Sequence, residues 1–217
     1  MSAPLPDRWL LALHSSSDTL GVALQSLAVD AMPLEPPRVQ AFPLGRSLAN
    51  ALFGCVEAVL PASRWRELGR LAVATGPGGF TGTRLTVVMA RTLAQQLALP
   101  LDGIGSFALI ARRLLATRGP ELAAGFWLIQ ELPRRGVVAG LYAADPSSAA
   151  GVLEWRSPRL YADPAELSEV EGRVGLRQPP RLPALPSLPA DVLCLLELAQ
   201  LAALEGRSAP WQSVLPL

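Results

Sequence analysis

The sequence predicts an α/β protein built on a mixed sheet with flanking helices. Three observations predict it. Apolar runs of strand length alternate with longer segments whose apolar residues recur at helical spacing. Residues 71–84, LAVATGPGGFTGTR, read as strand, glycine-rich turn and helix in immediate succession. Half of the chain is hydrophobic (50%), which across 217 residues suffices for a substantial core.

Taken in order, residues 9–13 form a buried strand, ended by the polar turn His14-Ser15-Ser16-Ser17-Asp18. Residues 21–27 are its return strand. A proline-rich connection, residues 32–37, leads to an extended piece at 38–42. Residues 47–60 are the first clear helix: Leu48, Leu52, Phe53, Val56, Val59 and Leu60 share one broad face, and Pro61 follows the end. The strand at 71–74 enters the glycine loop. Thr81 and Thr83 are the expected N-caps of the next helix, which carries Leu85, Val88, Met89, Leu93 and Leu97 on one face and stops before Pro100. Residues 101–104 are a short strand, and Ser106 caps a helix to about residue 117. The order is β-β-β-α-β-α-β-α.

The second half gives strands at 126–130 and 137–142 around a turn at Pro133-Arg134-Arg135-Gly136, a strand at 152–155 and a short helix at 164–170. The proline-rich stretch 178–189 excludes long regular structure. Residues 191–204 are a leucine-rich helix. The expected division is residues 1–105 as one lobe and 106–217 as a smaller, divergent lobe, with the C-terminal helix and tail packing back on the first.

Charge narrows the function. Nineteen basic residues against 18 acidic ones leave a formal net charge of +1, which argues against a free-standing nucleic-acid binder. Every basic residue is arginine. The absence of lysine removes a P-loop lysine and Schiff-base chemistry, and the arginine usage itself reads as genome composition. Cys55 and Cys194 lie in apolar helical patterns and read as reduced thiols. MSAPLPDRW has no secretory pattern and no run reaches the length of a membrane span, so a cytoplasmic location is expected.

Two motifs invite chemistry. The glycine loop, Gly76-Pro77-Gly78-Gly79-Phe80-Thr81-Gly82, leads into a helix N-terminus and is a candidate phosphate or partner contact. Without a lysine beside it, a tight connection that lets the helix pack on its strand is the better reading. His14 beside Ser15, Ser16 and Ser17 offers a base next to a nucleophile, but adjacent residues on one turn rarely form a triad. A hydrogen-bonded turn histidine is expected. No catalytic residue and no metal-ligand cluster is identified.

The blocks LLALHSSSDTLGVAL, ATGPGGFTGTRLTVVMARTLAQQLALPLDGIGS and PWQSVLPL are together similar to the TsaB (YeaZ-type) family. The match runs through about residue 106 and returns in the tail. Gly79 stands where the family's GPGSFTGLR-type signature has serine, and Thr83 where it has an apolar residue. The resemblance implies an actin/Hsp70-like (ASKHA) fold of two related lobes. It also implies a non-catalytic subunit of bacterial tRNA N6-threonylcarbamoyladenosine synthesis, with no cofactor of its own. The implied partners are a TsaD-type catalytic subunit, a TsaE-type ATPase and, through the assembly, tRNA. The catalytic relative holds its metal with a histidine pair, which a chain with His14 alone cannot supply.

Two departures weaken nucleotide or metal handling here. His14 replaces the family's usual aspartate, and Gln130-Glu131-Leu132-Pro133-Arg134-Arg135 replaces a DAR-like turn. The resemblance further implies that the helices at 47–60 and 83–97 build an interface with the catalytic partner or with a second copy. Its candidate residues are Asn50, Phe53, Gly54, Arg84, Val87 and Arg91, with Ala49, Gly54 and Ala90 allowing close approach. The alternatives are a small ASKHA-fold phosphotransferase or peptidase, with Asp18 as the carboxylate near the first turn, or a homodimeric scaffold without a tRNA role.

Overall fold

The computed structural model describes residues 8–27, 35–148, 150–173, 175 and 179–217; the expectations that fall on residues 32–34 and 178 lie outside these. It divides into two units, Met1–Ser106 with Leu188–Leu217, and Phe107–Ser187.

In the first unit, β1 (Trp9–His14), β2 (Thr19–Ser26), β3 (Arg38–Pro43), β4 (Leu68–Ala74) and β5 (Leu101–Ile104) form one sheet in the order β3-β2-β1-β4-β5. β1, β2 and β3 are antiparallel neighbours, whereas β4 lies parallel to β1 and β5 parallel to β4. The central strands are apolar along their length because both faces are covered. On one face Leu11, Leu13, Val22 and Val73 join a core with Leu52 and Val56 of α1 (Leu48–Val59) and Val87 and Ala90 of α2 (Phe80–Leu97). α5 (Ala190–Leu204) packs on β1, β2 and β4. A Cβ on Gly21 would stand 2.9 Å from both Leu188 Cδ2 and Val192 Cγ1, so this contact requires glycine. Gly21 pairs with His14 in the ladder, which places His14 on the same face. At β5, Arg70 donates to both oxygens of the Asp102 carboxylate (2.6 and 2.9 Å) and to the carbonyl of Arg207 (3.2 Å) beyond the end of α5.

The second unit repeats this strand order with one strand fewer. β6 (Phe126–Leu132), β7 (Gly136–Ala144), β8 (Val152–Tyr161) and β9 (Arg181–Pro183) form a sheet in the order β8-β7-β6-β9. As in the first unit, three successive antiparallel strands are followed by one parallel to the first of them. Residues 107–122 of α3 (Ser106–Leu122) contribute Phe107 and Ile110 to a core with Phe126, Leu128 and Tyr142. Leu167 of α4 (Pro164–Arg173) packs with Trp127, Leu141 and Tyr161.

These mixed sheets with flanking helices are the expected fold class. Several boundaries differ from expectation. α3 continues to Leu122 across a non-helical Arg118 (φ −127°), and β8 runs on to Tyr161. The proline-rich stretch contains β9, because Trp127 N–H donates to the Pro180 carbonyl (2.8 Å) and Ala184 N–H to the Ile129 carbonyl (2.7 Å). An edge position tolerates proline, which needs no donor on its outer side. Among the described residues no helix is long and apolar enough to cross a membrane.

Candidate functional site

The glycine loop is pressed against the turn that follows β1. Gly79 N–H donates to the Ser16 carbonyl (2.9 Å), and a Cβ on Gly78 would collide with Ser16 Cβ and O. A Cβ on Gly82 would stand 2.9 Å from Leu48 Cδ2 and 3.1 Å from the Ser15 carbonyl. Gly76 takes φ +99°, a region that favours glycine, and its carbonyl accepts from Ser106 N–H (2.6 Å). Leu217 N–H donates to the Thr75 carbonyl (2.8 Å), which ties the tail to the same loop. The Ser16 backbone thus fills the space beside Gly78, and the glycines permit this close packing.

α2 starts earlier than expected. Its N-cap is Gly79, without a side-chain hydrogen bond, and Thr83 N–H already donates to the Gly79 carbonyl (3.0 Å). Thr81 and Thr83 are therefore helical residues and not caps. Pro77 and Gly78 are half-buried, whereas Gly79, Phe80 and Thr81 are exposed. Phe80, Thr81 and Gly82 border a cavity of about 290 Å³ whose wall carries both Asp18 and Arg46.

Beneath the loop, side-chain hydroxyls pair with one another. Ser15 Oγ bonds Thr86 Oγ1 (2.6 Å), and Ser16 Oγ bonds Ser106 Oγ. His14 is no turn residue: it ends β1 and is fully buried. Its Nδ1 accepts from Ser16 N–H at 3.5 Å, while Nε2 has no partner among the described residues. Desolvation pushes its pKa down to about 4, against the pull of the Asp191 carboxylate. Among the described residues no serine hydroxyl bonds this imidazole. Among the described residues no group of three or more His, Cys, Asp or Glu is placed to hold a metal.

α1 and α2 pack beside each other and leave one face of each outward. Asn50, Gly54 and Arg84 are exposed, Phe53 is 54% exposed, and Arg91 is half-buried with its guanidinium 5.8 Å from the Trp211 ring. Val87 is fully buried; Val88, assigned above to the core, is 58% exposed. Met89 and Leu93 are buried as expected, and the rest of the inward face of α2 is Thr83, Thr86, Val87, Ala90 and Ala94. Threonines and alanines carry little hydrophobic signal, so this part of the face is hard to see in the sequence. Phe80, 66% exposed, lies under the Arg84 guanidinium (3.5 Å to the centroid), and Phe53 tilts on Trp65 (5.0 Å between centroids). Phe53, Phe80 and Val88 thus leave large apolar groups outward beside the small Ala49, Gly54 and Ala58.

Comparison with known proteins follows this geometry. Residues 45–124 match the family model of TsaD, tRNA N6-adenosine threonylcarbamoyltransferase. The chain is 34% identical over 140 residues to the tRNA threonylcarbamoyladenosine biosynthesis protein TsaB of Bacillus subtilis (strain 168), covering 61% of this chain. It spans about half the length of that relative (54%). The structure of YeaZ from Pseudomonas aeruginosa superposes with a TM-score of 0.67 at 22% identity, covering 97% of this chain and 99% of that one. A protein described as similar to peptidase YeaZ from Pseudomonas aeruginosa gives a TM-score of 0.68 at 21% identity over 97% and 98% of the two chains. The sequence match through the glycine loop makes the chain similar to TsaB over part of its length, and the near-complete structural match shows that it shares the fold of YeaZ.

Proposed function

We propose that this protein is a non-catalytic subunit of an assembly that makes N6-threonylcarbamoyladenosine in tRNA. It binds a TsaD-type catalytic subunit through the outward faces of α1 and α2, and the assembly brings in a TsaE-type ATPase and tRNA. The observation that carries this reading is the exposure of the apolar side chains Phe53, Phe80 and Val88 on α1 and α2, with the small Ala49, Gly54 and Ala58 also exposed on α1. Apolar groups of this size on adjacent helices suit a buried helical interface, in which close approach at Gly54 and Ala58 lets a partner helix pack. The catalytic reading finds less support: the sole histidine is buried, and the hydroxyls of Ser15 and Ser16 beside it bond other hydroxyls.

Titration of the chain against a purified TsaD-type subunit tests this. Val88→Glu should weaken the complex at least tenfold while leaving the thermal midpoint of the free chain unchanged. Equal assembly by wild type, Val88→Glu and Phe53→Ala would refute the surface. A second copy of the chain could occupy the same face. In that case sedimentation of the chain alone shows a dimer that Val88→Glu dissociates and that the catalytic subunit displaces.

A further inference from the structure

α2 carries much of its outward surface on one ridge. Phe80, Arg84, Val88 and Thr92 follow one another at intervals of four, and all four are exposed. Phe80 (66%) and Val88 (58%) are large apolar groups, so Arg84 is a charge set between them. Residues four apart on a helix have their Cβ atoms roughly 6 Å from each other. A surface that covers both Phe80 and Val88 therefore covers Arg84 as well.

The guanidinium is held in place from within the helix. Its Cζ lies 3.5 Å from the Phe80 ring centroid, the separation of direct contact, which steadies the long side chain over an exposed ring. The ring takes up one face of the group, and the N–H donors at its edges stay available. Among the described residues no carboxylate pairs with Arg84, whereas Arg64, Arg70 and Arg207 of the same unit pair with Glu67, Asp102 and Glu205. Two exposed acids lie in this part of the unit. Asp18 lines the cavity beside Phe80 together with Arg46, and Glu57 stands on α1, four residues after Phe53. Neither forms an ion pair with Arg84. What counts is the place of one charge inside an apolar ridge, and not the net charge of the face.

We propose that Arg84 is the specificity-determining contact of the α1–α2 surface and takes a carboxylate, an aspartate or glutamate set among apolar residues on the partner. This rests on the reading above that a catalytic subunit covers these helices. Once Phe80 and Val88 are covered, the guanidinium loses its water, and leaving it unpaired in an apolar contact opposes association. A planar carboxylate matches the fork of donors with two parallel hydrogen bonds. The contact with Phe80 lowers the ordering cost of such a pair, because the side chain is already held where the carboxylate arrives. A partner surface that is apolar throughout would suit Phe53, Phe80 and Val88 and be rejected by Arg84.

Titration of the full chain against the purified catalytic subunit tests this, without RNA, so that no phosphate can stand in for the carboxylate. Arg84→Met keeps an apolar stem and should weaken binding about thirtyfold, because it strands the partner's carboxylate. Arg84→Glu should weaken binding further, and reversal of one surface acid of the catalytic subunit to arginine should restore most of that loss. Both variants should melt as wild type does, since Arg84 is exposed. Unchanged or tighter binding by Arg84→Met overturns the proposal, as does an Arg84→Glu defect that no acid reversal rescues. Val88→Glu separates the two readings. If Val88→Glu loses the complex and Arg84→Met keeps it, the α1–α2 interface stands and the carboxylate contact fails. If neither variant changes binding, the interface fails and the proposal fails with it.

Discussion

His14 holds a neutral imidazole in the fully buried end of β1, where burial lowers its pKa to about 4 from the 6.5 of an exposed histidine. Between those values the unfolded chain binds a proton that the folded chain refuses, so stability falls as pH drops from about 6.5 to about 4. A shift of this size corresponds to about 3 kcal/mol, an order-of-magnitude figure. Denaturant unfolding at several pH values should show that loss in wild type and a flatter profile in His14→Asn, whatever that variant's absolute stability. Identical profiles would contradict the assignment. Gly78 makes a second residue-scale case. Gly78→Ala drives a methyl into the Ser16 backbone and should destabilise by about 2 kcal/mol or more. Gly54→Ala, with open space around the added carbon, should stabilise α1 by about 0.5–1 kcal/mol; denaturation midpoints check both. The succession of strand, glycine-rich turn and helix was legible in the sequence, and the turn lies against Ser16. The buried state of His14 was not legible: a polar run His-Ser-Ser-Ser resembles a solvated turn, and the hydroxyls that pair with Ser15 and Ser16 in the interior, Thr86 and Ser106, are distant in sequence.

At the scale of elements, α1 and α2 were found from apolar spacing, and their faces were only half readable. α1 follows its pattern, with Leu48, Leu52, Val56 and Val59 buried, although Phe53 points outward. In α2 the run Leu85-Thr86-Val87-Val88-Met89 offers apolar residues to every direction, so periodicity does not choose between Val87 and Val88. The choice is made by threonines and alanines that fit close to the Ser15 turn and the sheet. Substitution separates the two valines. Val87→Asp buries an unpaired charge and should unfold the chain, whereas Val88→Glu should spare folding and weaken assembly. Thermal melts with parallel complex titrations read both outcomes.

Across the whole molecule, the order of strands and helices along the first unit could be anticipated because most of its strands are apolar runs bounded by turn signals. The second unit repeats that order with the parallel strand hidden among prolines and the edge strand bulged and exposed, which erases the alternation that reveals strands. The likeness to TsaB and YeaZ rests on the loop and the fold together, and the central claim proposed for the chain is that it acts as an accessory subunit and not as a catalyst. Reconstituted threonylcarbamoylation of tRNA tests it most directly, run with TsaD-type and TsaE-type subunits from the same source, with and without this chain. Product that forms only when the chain is present, and falls at least tenfold with Val88→Glu, is the predicted result. Product that forms equally well without the chain would contradict the account.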